Sequence, residues 1–467
     1  MTRILSTPAS WPRILLAHAD AADPTDLDAA VRAGAFDALK TAIRAMTPAQ
    51  VIAVVAGSGL RGRGGAGFPT GEKWRTAAAV SAPRKYVVAN GYGADPGVQT
   101  DRTLLERDPY AVLEGLALAA YAIGATEAYV AVRAEASEAI RGLEVALAAA
   151  EEAGFVGPDV LDSGWSLQIE IRPVQGAYLL GEETVLLKAL EGKRGQPEQR
   201  PPYPTERGLF GRPTVVHNVQ TLASLPWIVK HGPEAFAAIG SKASPGTMLV
   251  QLRGPVEAGI AEVPLGTTLR ELVGLVGGGT ARVAPAGGTA GGTGSGTGSA
   301  QAFATGGDHP LKALLVGGPS GGLLPPDLLD TPFEFDALRA VGAHIGSGSI
   351  VLADERACIV DLARLLSRFC ADQACGKTIP CRIGTRRLSE IVDRIAIGTP
   401  KPTDADLAAD LSADIVGSAL CDHERLATLP MASGMRYFRA ELDEHLLRST
   451  CPAGVCHPIA VAAGTAH

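Results

Sequence analysis

GLRGRGGAGFPTGEKW, residues 59–74, is the stretch on which the reading of this 467-residue chain turns. Gly59, Gly62, Gly64, Gly65, Gly67 and Gly71 leave backbone N–H groups bare beside Arg61, Arg63 and Lys73, and a short loop of that composition suits a phosphate. Gly62, Gly64 and Gly67 also spell the dinucleotide fingerprint, which carries meaning only after a strand and before a helix. Upstream, Thr47-Pro48-Ala49-Gln50 reads instead as an N-cap with proline at the first helical position, so VIAVVAGSG is a helix ending on Gly57 to Gly59. The stretch therefore predicts a phosphate loop outside the Rossmann setting. A plain flexible surface loop is the weaker reading, given the flanking chemistry.

Working outward, Lys85 to Asn90 is a compact β-branched run followed by the turn NGYGADPG. Asp108 caps a helix that starts at Pro109 and runs to Ala125. Glu127 to Val132 returns as a strand, Ser137 to Ala153 as an amphipathic helix and Leu167 to Pro173 as a strand. This alternation predicts a parallel sheet covered by helices. Before the loop, Asp26 to Arg44 has helical spacing, and residues 1–25 read as an irregular lead-in. Beyond the strands, Gly181-Glu182-Glu183 heads an apolar helix, where the glutamates favour the positive dipole end; plain capping explains them as well as ligand binding does. A stiff proline-rich segment with Arg200 and Tyr203 suits stacking and hydrogen bonding to a planar ligand. From Gly246 the texture changes to short β-rich pieces with a helix near Thr268, a small α+β module. The Gly/Thr/Ser-rich insert 281–308 is expected to be disordered.

The chain is 46% apolar and carries a formal net charge of −7. The first figure supports real cores and roughly three domains at about 150 residues each; the second argues against a nucleic-acid binder. The N-terminus resembles neither a secretory signal nor a membrane anchor, and the most apolar helix, near Gly115 to Ala125, is too short to span a bilayer, so a cytoplasmic protein is expected.

All seven cysteines, at 358, 370, 375, 381, 421, 451 and 456, fall in the last quarter, which in a cytosolic protein points to metal rather than disulfides. Cys375-Gly-Lys-Thr378-Ile-Pro-Cys381, with Cys421 forty residues on, suits an iron–sulfur cluster better than structural zinc. A [4Fe–4S] centre takes four thiolates, and Thr378 stands where a CxxCxxC pattern would place the missing one. Cys370 is the available substitute, although LARLLSRFC reads equally as a helix with a buried cysteine. Cys358 reads as core, and Cys451 and Cys456 as two free thiols on a tail.

These residues carry a family resemblance. GLRGRGGAGFPTGEKW, GAYLLGEET, EGKRGQP, PPYP, GLFGRPTVVHNVQT, VPLGTTLREL, VGGPSGGLLP and CGKTIPCRIGT, in order between about Ala33 and Leu446, resemble the NADH-binding flavoprotein subunit of respiratory complex I. The related diaphorase subunits of NAD-dependent formate dehydrogenases and NAD-reducing hydrogenases share them, and CRIGT with the spacing around Cys421 is most similar to that branch. The resemblance implies an α/β flavin-binding domain (26–240), a small α+β domain of β-grasp, SLBB-like type (245–333), a C-terminal α-helical iron–sulfur bundle (334–450) and a tail (451–467). It implies FMN, NAD(H) and a [4Fe–4S] cluster as cofactors. FMN phosphate would lie against Gly62, Arg63, Gly64, Gly65, Gly67 and Lys73. Asn90, Gly181, Glu182 and Asn218 would contact flavin or its ribityl chain. Nicotinamide nucleotide would lie above, with Phe68 and Tyr203 as aromatic faces, Glu183, Arg200 and Asp95 as polar contacts and Tyr178 packed nearby. Glu183 is the candidate catalytic residue; Cys375, Cys381, Cys421 and the substitute Cys370 are the candidate metal ligands. A separate thioredoxin-like [2Fe–2S] subunit and a larger catalytic subunit, a molybdenum formate dehydrogenase or a complex I-type iron–sulfur protein, are the implied partners.

The departures from the family fall on the site. Tyr92 replaces an aspartate near the flavin, His217 an asparagine, Gln220 a glutamate and Thr378 a cysteine. They raise a second expectation, a degenerate structural or regulatory subunit. A Rossmann dehydrogenase acting alone would need a catalytic acid–base pair that the sequence does not offer.

Overall fold

The computed structural model describes residues 2–277 and 309–456. The Gly/Thr/Ser-rich insert therefore lies outside the described residues.

The first domain is built on four parallel strands, β1 (Tyr86–Gly91), β2 (Glu127–Arg133), β3 (Gln168–Val174) and β4 (Thr214–Asn218), in the order β3-β2-β1-β4. Strands β1 and β2 are buried on both faces, as the near-continuous apolar runs require of a covered parallel sheet. The helix Pro109–Ile123, apolar all round, lies in the core and starts from Asp108, whose carboxylate accepts the Ala111 N–H. It crosses Val219–His231 so closely that a Cβ on Gly115 would lie 2.0 Å from the Leu222 carbonyl oxygen. Glu114 of the same helix is buried and accepts the Phe36 and Leu39 amides, satisfying the start of the helix Asp37–Ala45. Burial pushes its carboxyl up to about 7.

A second sheet is mixed. It comprises β5 (Thr247–Arg253), β6 (Gly259–Pro264), β7 (Leu311–Val316), β8 (Gly322–Leu324) and β9 (Ser349–Asp354), in the order β6-β5-β9-β7-β8. Thr268 caps the helix Leu269–Gly274 with a reciprocal Thr268–Glu271 capping box, so the start expected near Thr268 is met. The irregular lead-in packs on this sheet. Ile4 bridges to Ile260, and the amides of Ile14, Leu15 and Leu16 converge on the buried Glu262 carboxylate.

Strand β9 corrects the expected boundary at 334. It pairs with both β5 and β7, so residues up to Asp354 are bound into the second sheet and the helical region begins after them. That region holds the helices Ile359–Asp372, Arg386–Ala396, Asp404–Ser418, Leu429–Tyr437 and Arg439–Arg448. None of the helices among the described residues is long and apolar enough to cross a membrane.

Candidate functional site

The order β3-β2-β1-β4 places a switch point between β1 and β4: the chain leaves β1 toward β2 and β3, then returns to the other side of β1. In open parallel sheets the crevice outside the carboxyl ends of such a strand pair is where ligands bind. Strand β4 ends there in Asn218 and β1 one residue after Asn90, and the two asparagines are partners in register. The Asn90 amide reaches the Gly181 carbonyl at 3.3 Å, and Asn218 donates to Asp101 at 2.7 Å. Buried Asp101, its carboxyl pushed up to about 6 by burial, also accepts the Gln220 amide. The replaced residue Gln220 thus serves as a bracket.

The glycine loop lies over this crevice. Its base is closed by Gly62 N–H to Phe68 O and Thr70 N–H to Leu60 O, each 2.9 Å, and it feeds the helix Thr70–Ala79. A Cβ on Gly64 would touch that of Asn218 at 3.4 Å, and one on Gly65, at φ +104, would lie 3.4 Å from the Gly346 carbonyl. Glycine here leaves free backbone beside Asn218, as a phosphate-bearing ligand needs. Phe68 and Tyr203 are 48% and 52% exposed, so both rings are available to a planar ligand rather than absorbed into the core.

Charges at the mouth form one chain. Lys73 Nζ donates to Glu183 at 2.8 Å and to the Val216 carbonyl at 3.0 Å; Arg200 bonds Glu182 at 2.5 Å and Glu183 at 3.0 Å. Burial favours the neutral form of Glu183, yet Lys73 and Arg200 outweigh it and hold the carboxyl below its ordinary value. Glu182 is raised by burial. It is also the N-cap of the helix Glu183–Leu190, accepting the Val185 amide, so capping and site membership coincide in one residue.

Two residues expected to touch the ligand are committed elsewhere. Arg63 is fully buried and donates to the carbonyls of Thr247, Pro245 and Arg61; burial lowers it to about 9. Its guanidinium ties the loop to β5 because backbone oxygens surround it on the inner side. Asp95 is likewise buried, with Ser347 donating to it, and Gly318 packs so tightly that a Cβ there would lie 2.6 Å from its carboxylate. It joins the first domain to the second. Tyr178 belongs to that junction: its hydroxyl lies 3.1 Å from Ser320 Oγ and its amide donates to Gln373.

Two of the departures are accommodated by packing. Tyr92 is buried, donates its hydroxyl to the Gly176 carbonyl at 2.6 Å and lies under Arg133. His217 accepts the Trp74 indole N–H at 2.7 Å, and burial holds it neutral, well below the usual histidine value.

The cluster loop docks against the same mouth. Lys377 donates to the Pro197 carbonyl at 2.6 Å, and the rings of Tyr178 and His423 meet edge to face. Cys381 is buried, and Cys421 is the N-cap of the helix Asp422–Leu426. Burial raises the Cys421 thiol to about 12, with Glu182, Cys381 and Cys375 as its charged neighbours; burial, then Glu424, raises Cys381 to about 11. The Cys421 and Cys381 thiols, whose anions burial and neighbouring charges disfavour, fit a cationic iron core, which would relieve them. The Thr378 hydroxyl donates to buried Glu424 at 2.7 Å and accepts the Cys381 amide at 3.2 Å. Glu424 was missed in the sequence, where its stretch counted only for the spacing around Cys421. The suggestion that Cys370 substitutes for the missing thiol is not met: its thiol faces the Pro319 carbonyl and its charged neighbour is Asp95, because the inward face of Ile359–Asp372 packs on the loop 318–320.

The cysteines read as core and tail come together instead. Ligand atoms of Cys358, His445, Cys451 and Cys456 all lie within 4.8 Å of one another.

Comparison with known proteins agrees with this arrangement. Residues 55–227 match the Nuo51 FMN-binding domain family, and residues 361–445 match the NADH-ubiquinone oxidoreductase-F iron-sulfur binding region. The chain is 40% identical over 435 residues to the HndC subunit of the NADP-reducing hydrogenase of Solidesulfovibrio fructosivorans, covering 93% of this chain and 83% of that protein. It is 38% identical over 440 residues to an NADH-quinone oxidoreductase subunit of Rhizobium meliloti, covering 94% and 99%. The crystal structure of an NAD+-reducing [NiFe]-hydrogenase in the H2-reduced state superposes with a TM-score of 0.78 at 30% identity, covering 96% of this chain and 68% of that one. The chain belongs to the NADH-quinone oxidoreductase family that these matches define, the NADH-oxidising FMN and iron–sulfur subunits of complex I and NAD-reducing hydrogenase type. FMN, NADH and a [4Fe–4S] cluster are the cofactors of that family, and the residues at the switch point and in the cluster loop fit them.

Proposed function

We propose that this chain is a working diaphorase subunit that exchanges hydride with NAD(H) in a formate dehydrogenase-type assembly. Its observation is the in-register pair Asn90 and Asn218 at the switch point, with Asn218 against Gly64 of the glycine loop and Cys421 close enough to Glu182 to feel its charge. FMN, when bound, exchanges a hydride with NAD(H) and passes electrons singly to the cluster. Gly64, Gly65 and Gly67 would offer backbone N–H groups to its phosphate, with Gly62 closing the base of the loop and Lys73 nearby as countercharge. Asn90, Gly181, Glu182 and Asn218 orient the flavin. Phe68 and Tyr203 would offer aromatic faces to the nicotinamide nucleotide, and Glu183, held ionised by Lys73 and Arg200, would be a polar contact for it.

The formate dehydrogenase branch is favoured by the CRIGT sequence and the spacing around Cys421. The mixed sheet with the helix Leu269–Gly274 is read as a β-grasp module. At the cluster, Cys375, Cys381 and Cys421 are the thiolate ligands, and Thr378 with Glu424 forms an oxygen-lined fourth corner. The partners are a thioredoxin-like [2Fe–2S] subunit and a molybdenum formate dehydrogenase-type catalytic subunit, in the cytoplasm. Protein purified anaerobically is expected to show flavin absorbance and to reduce an artificial acceptor with NADH. A colourless preparation that FMN cannot reconstitute overturns this reading.

Thr378 favours one second reading, a subunit that docks partners without efficient electron transfer. Iron and acid-labile sulfide analysis beside an NADH titration separates the two: flavin reduction without a reducible cluster selects the second.

A further inference from the structure

Four residues outside the cluster loop converge in the helical region. Cys358 is the N-cap of the helix Ile359–Asp372, His445 lies on Arg439–Arg448, and Cys451 and Cys456 bracket a turn after that helix. Cys358 Sγ lies 3.5 Å from His445 Nε2 and 3.5 Å from Cys456 Sγ. All four ligand atoms fall within 4.8 Å of one another. Two sulfurs held about 2.3 Å from one tetrahedral ion stand about 3.8 Å apart, so the spacing matches a single ion. A cubane core would hold its thiolates further apart. Three of the four residues, moreover, lie outside the matched iron–sulfur region 361–445.

The surroundings are built for a ligand set. His445 Nδ1 is 2.8 Å from the Glu441 carbonyl, so the N–H sits there and the Nε2 lone pair faces the sulfurs. The Glu441 carboxylate accepts the Ile359 amide and pairs with Lys312, fixing that helix against the N-terminus of Ile359–Asp372. The Asp361 amide donates to Cys358 Sγ at 3.4 Å, and the amides of Val455 and Cys456 approach Cys451 sulfur. Gly454, at φ 69, makes the turn that returns Cys456 to the cluster. Cys358, His445 and Cys456 are buried, leaving no open coordination position for a substrate.

We propose that Cys358, His445, Cys451 and Cys456 bind a structural zinc ion that pins the segment after Arg448 to the start of the helix leading into the cluster loop. Binding takes up Zn2+ and releases the three thiol protons to solvent, leaving a tetrahedral Cys3His complex of net charge −1. The clamp is independent of the electron-transfer reading, since it touches neither Cys375, Cys381 nor Cys421.

The test is metal analysis and zinc-edge X-ray absorption on the full chain, purified anaerobically under reductant. One zinc per chain is expected, with three sulfurs at about 2.3 Å and one nitrogen at about 2.0 Å. Cys451→Ser with Cys456→Ser should lower zinc content at least about tenfold while iron per chain is unchanged. His445→Cys should keep zinc with an all-sulfur shell. Wild-type protein that takes up no zinc when titrated with zinc alone overturns the proposal, as does a Cys358–Cys456 disulfide under reductant. Zinc retained in the double variant, or iron lost in its place, does so as well. The absorption spectrum of the wild type decides the matter even where a variant fails to fold.

Discussion

Two cysteine constellations share the helical region, and they are built in opposite ways. Cys375 and Cys421 precede short helical segments and Cys381 lies within the helical turn Pro380–Thr385; Cys421 feels the charge of Glu182, and Thr378 is bonded to Glu424. Cys358, His445, Cys451 and Cys456 bring a complete ligand set together, held by helix ends and by the Glu441 bracket. The difference teaches that a donor set announced by a motif need not be complete, whereas a complete one need have no motif. A redox cluster must lie beside its electron donor and so inherits the exposure of the cluster loop. A structural ion only has to close a fold.

The comparison can be broken first at the cluster. Cys421→Ser is expected to abolish the iron–sulfur absorbance and the NADH-reducible signal while leaving flavin and zinc content intact; concurrent loss of zinc would merge the two sites. Next in size, a chelator that strips zinc is expected to lower the melting temperature of the helical region, and added zinc to restore it, as coupled metal binding and folding require. A thermal scan with and without the chelator measures this, and an unchanged transition would deny the ion a structural role.

The fourth corner gives the next effect. Thr378→Cys should slow cluster loss in air, Glu424→Ala should hasten it, and Cys370→Ala should change neither; bleaching of the cluster absorbance followed over time reads all three. A large effect at Cys370 would return that residue to the ligand set. Gly115→Ala, remote from both constellations, should destabilise the first domain by about 1–3 kcal/mol through overpacking against Leu222, with both metals retained.

The smallest effect is a pH slope outside both metal sites. The Glu114 carboxyl is raised to about 7, so its contribution to stability is fully present below the ordinary carboxyl range and fades as pH rises through about 7. Denaturant titrations at pH 5 and pH 8 should therefore show a steeper loss in the wild type than in Glu114→Gln. An equal slope would place the pH dependence elsewhere.

Much of the first domain was legible because its signals are local. The Thr47 N-cap, the Asp108–Pro109 helix start and the short β-forming runs of β1 to β3 each depend on a few adjacent residues. Strand β9 was not legible, since Ser349–Asp354 is short and its place between β5 and β7 is set by pairing with strands about 40 and 100 residues away. In the region around the switch point, the glycine loop and the Glu182 cap were readable as local features. Arg63 and Asp95 were not, because a charge in a motif looks the same whether it meets a ligand or a ring of buried partners.

By itself the sequence determined a helix-covered parallel sheet, a glycine-rich loop with no strand before it, and a cysteine loop with threonine midway between Cys375 and Cys381. Those follow from spacing and residue chemistry over short stretches. Only the tertiary structure decided that Arg63 faces carbonyls, that Thr378 meets Glu424, and that Cys358 and Cys456, 98 residues apart, stand 3.5 Å from each other. Side-chain partners at such separations are chosen by packing of whole helices, and no local pattern records that choice.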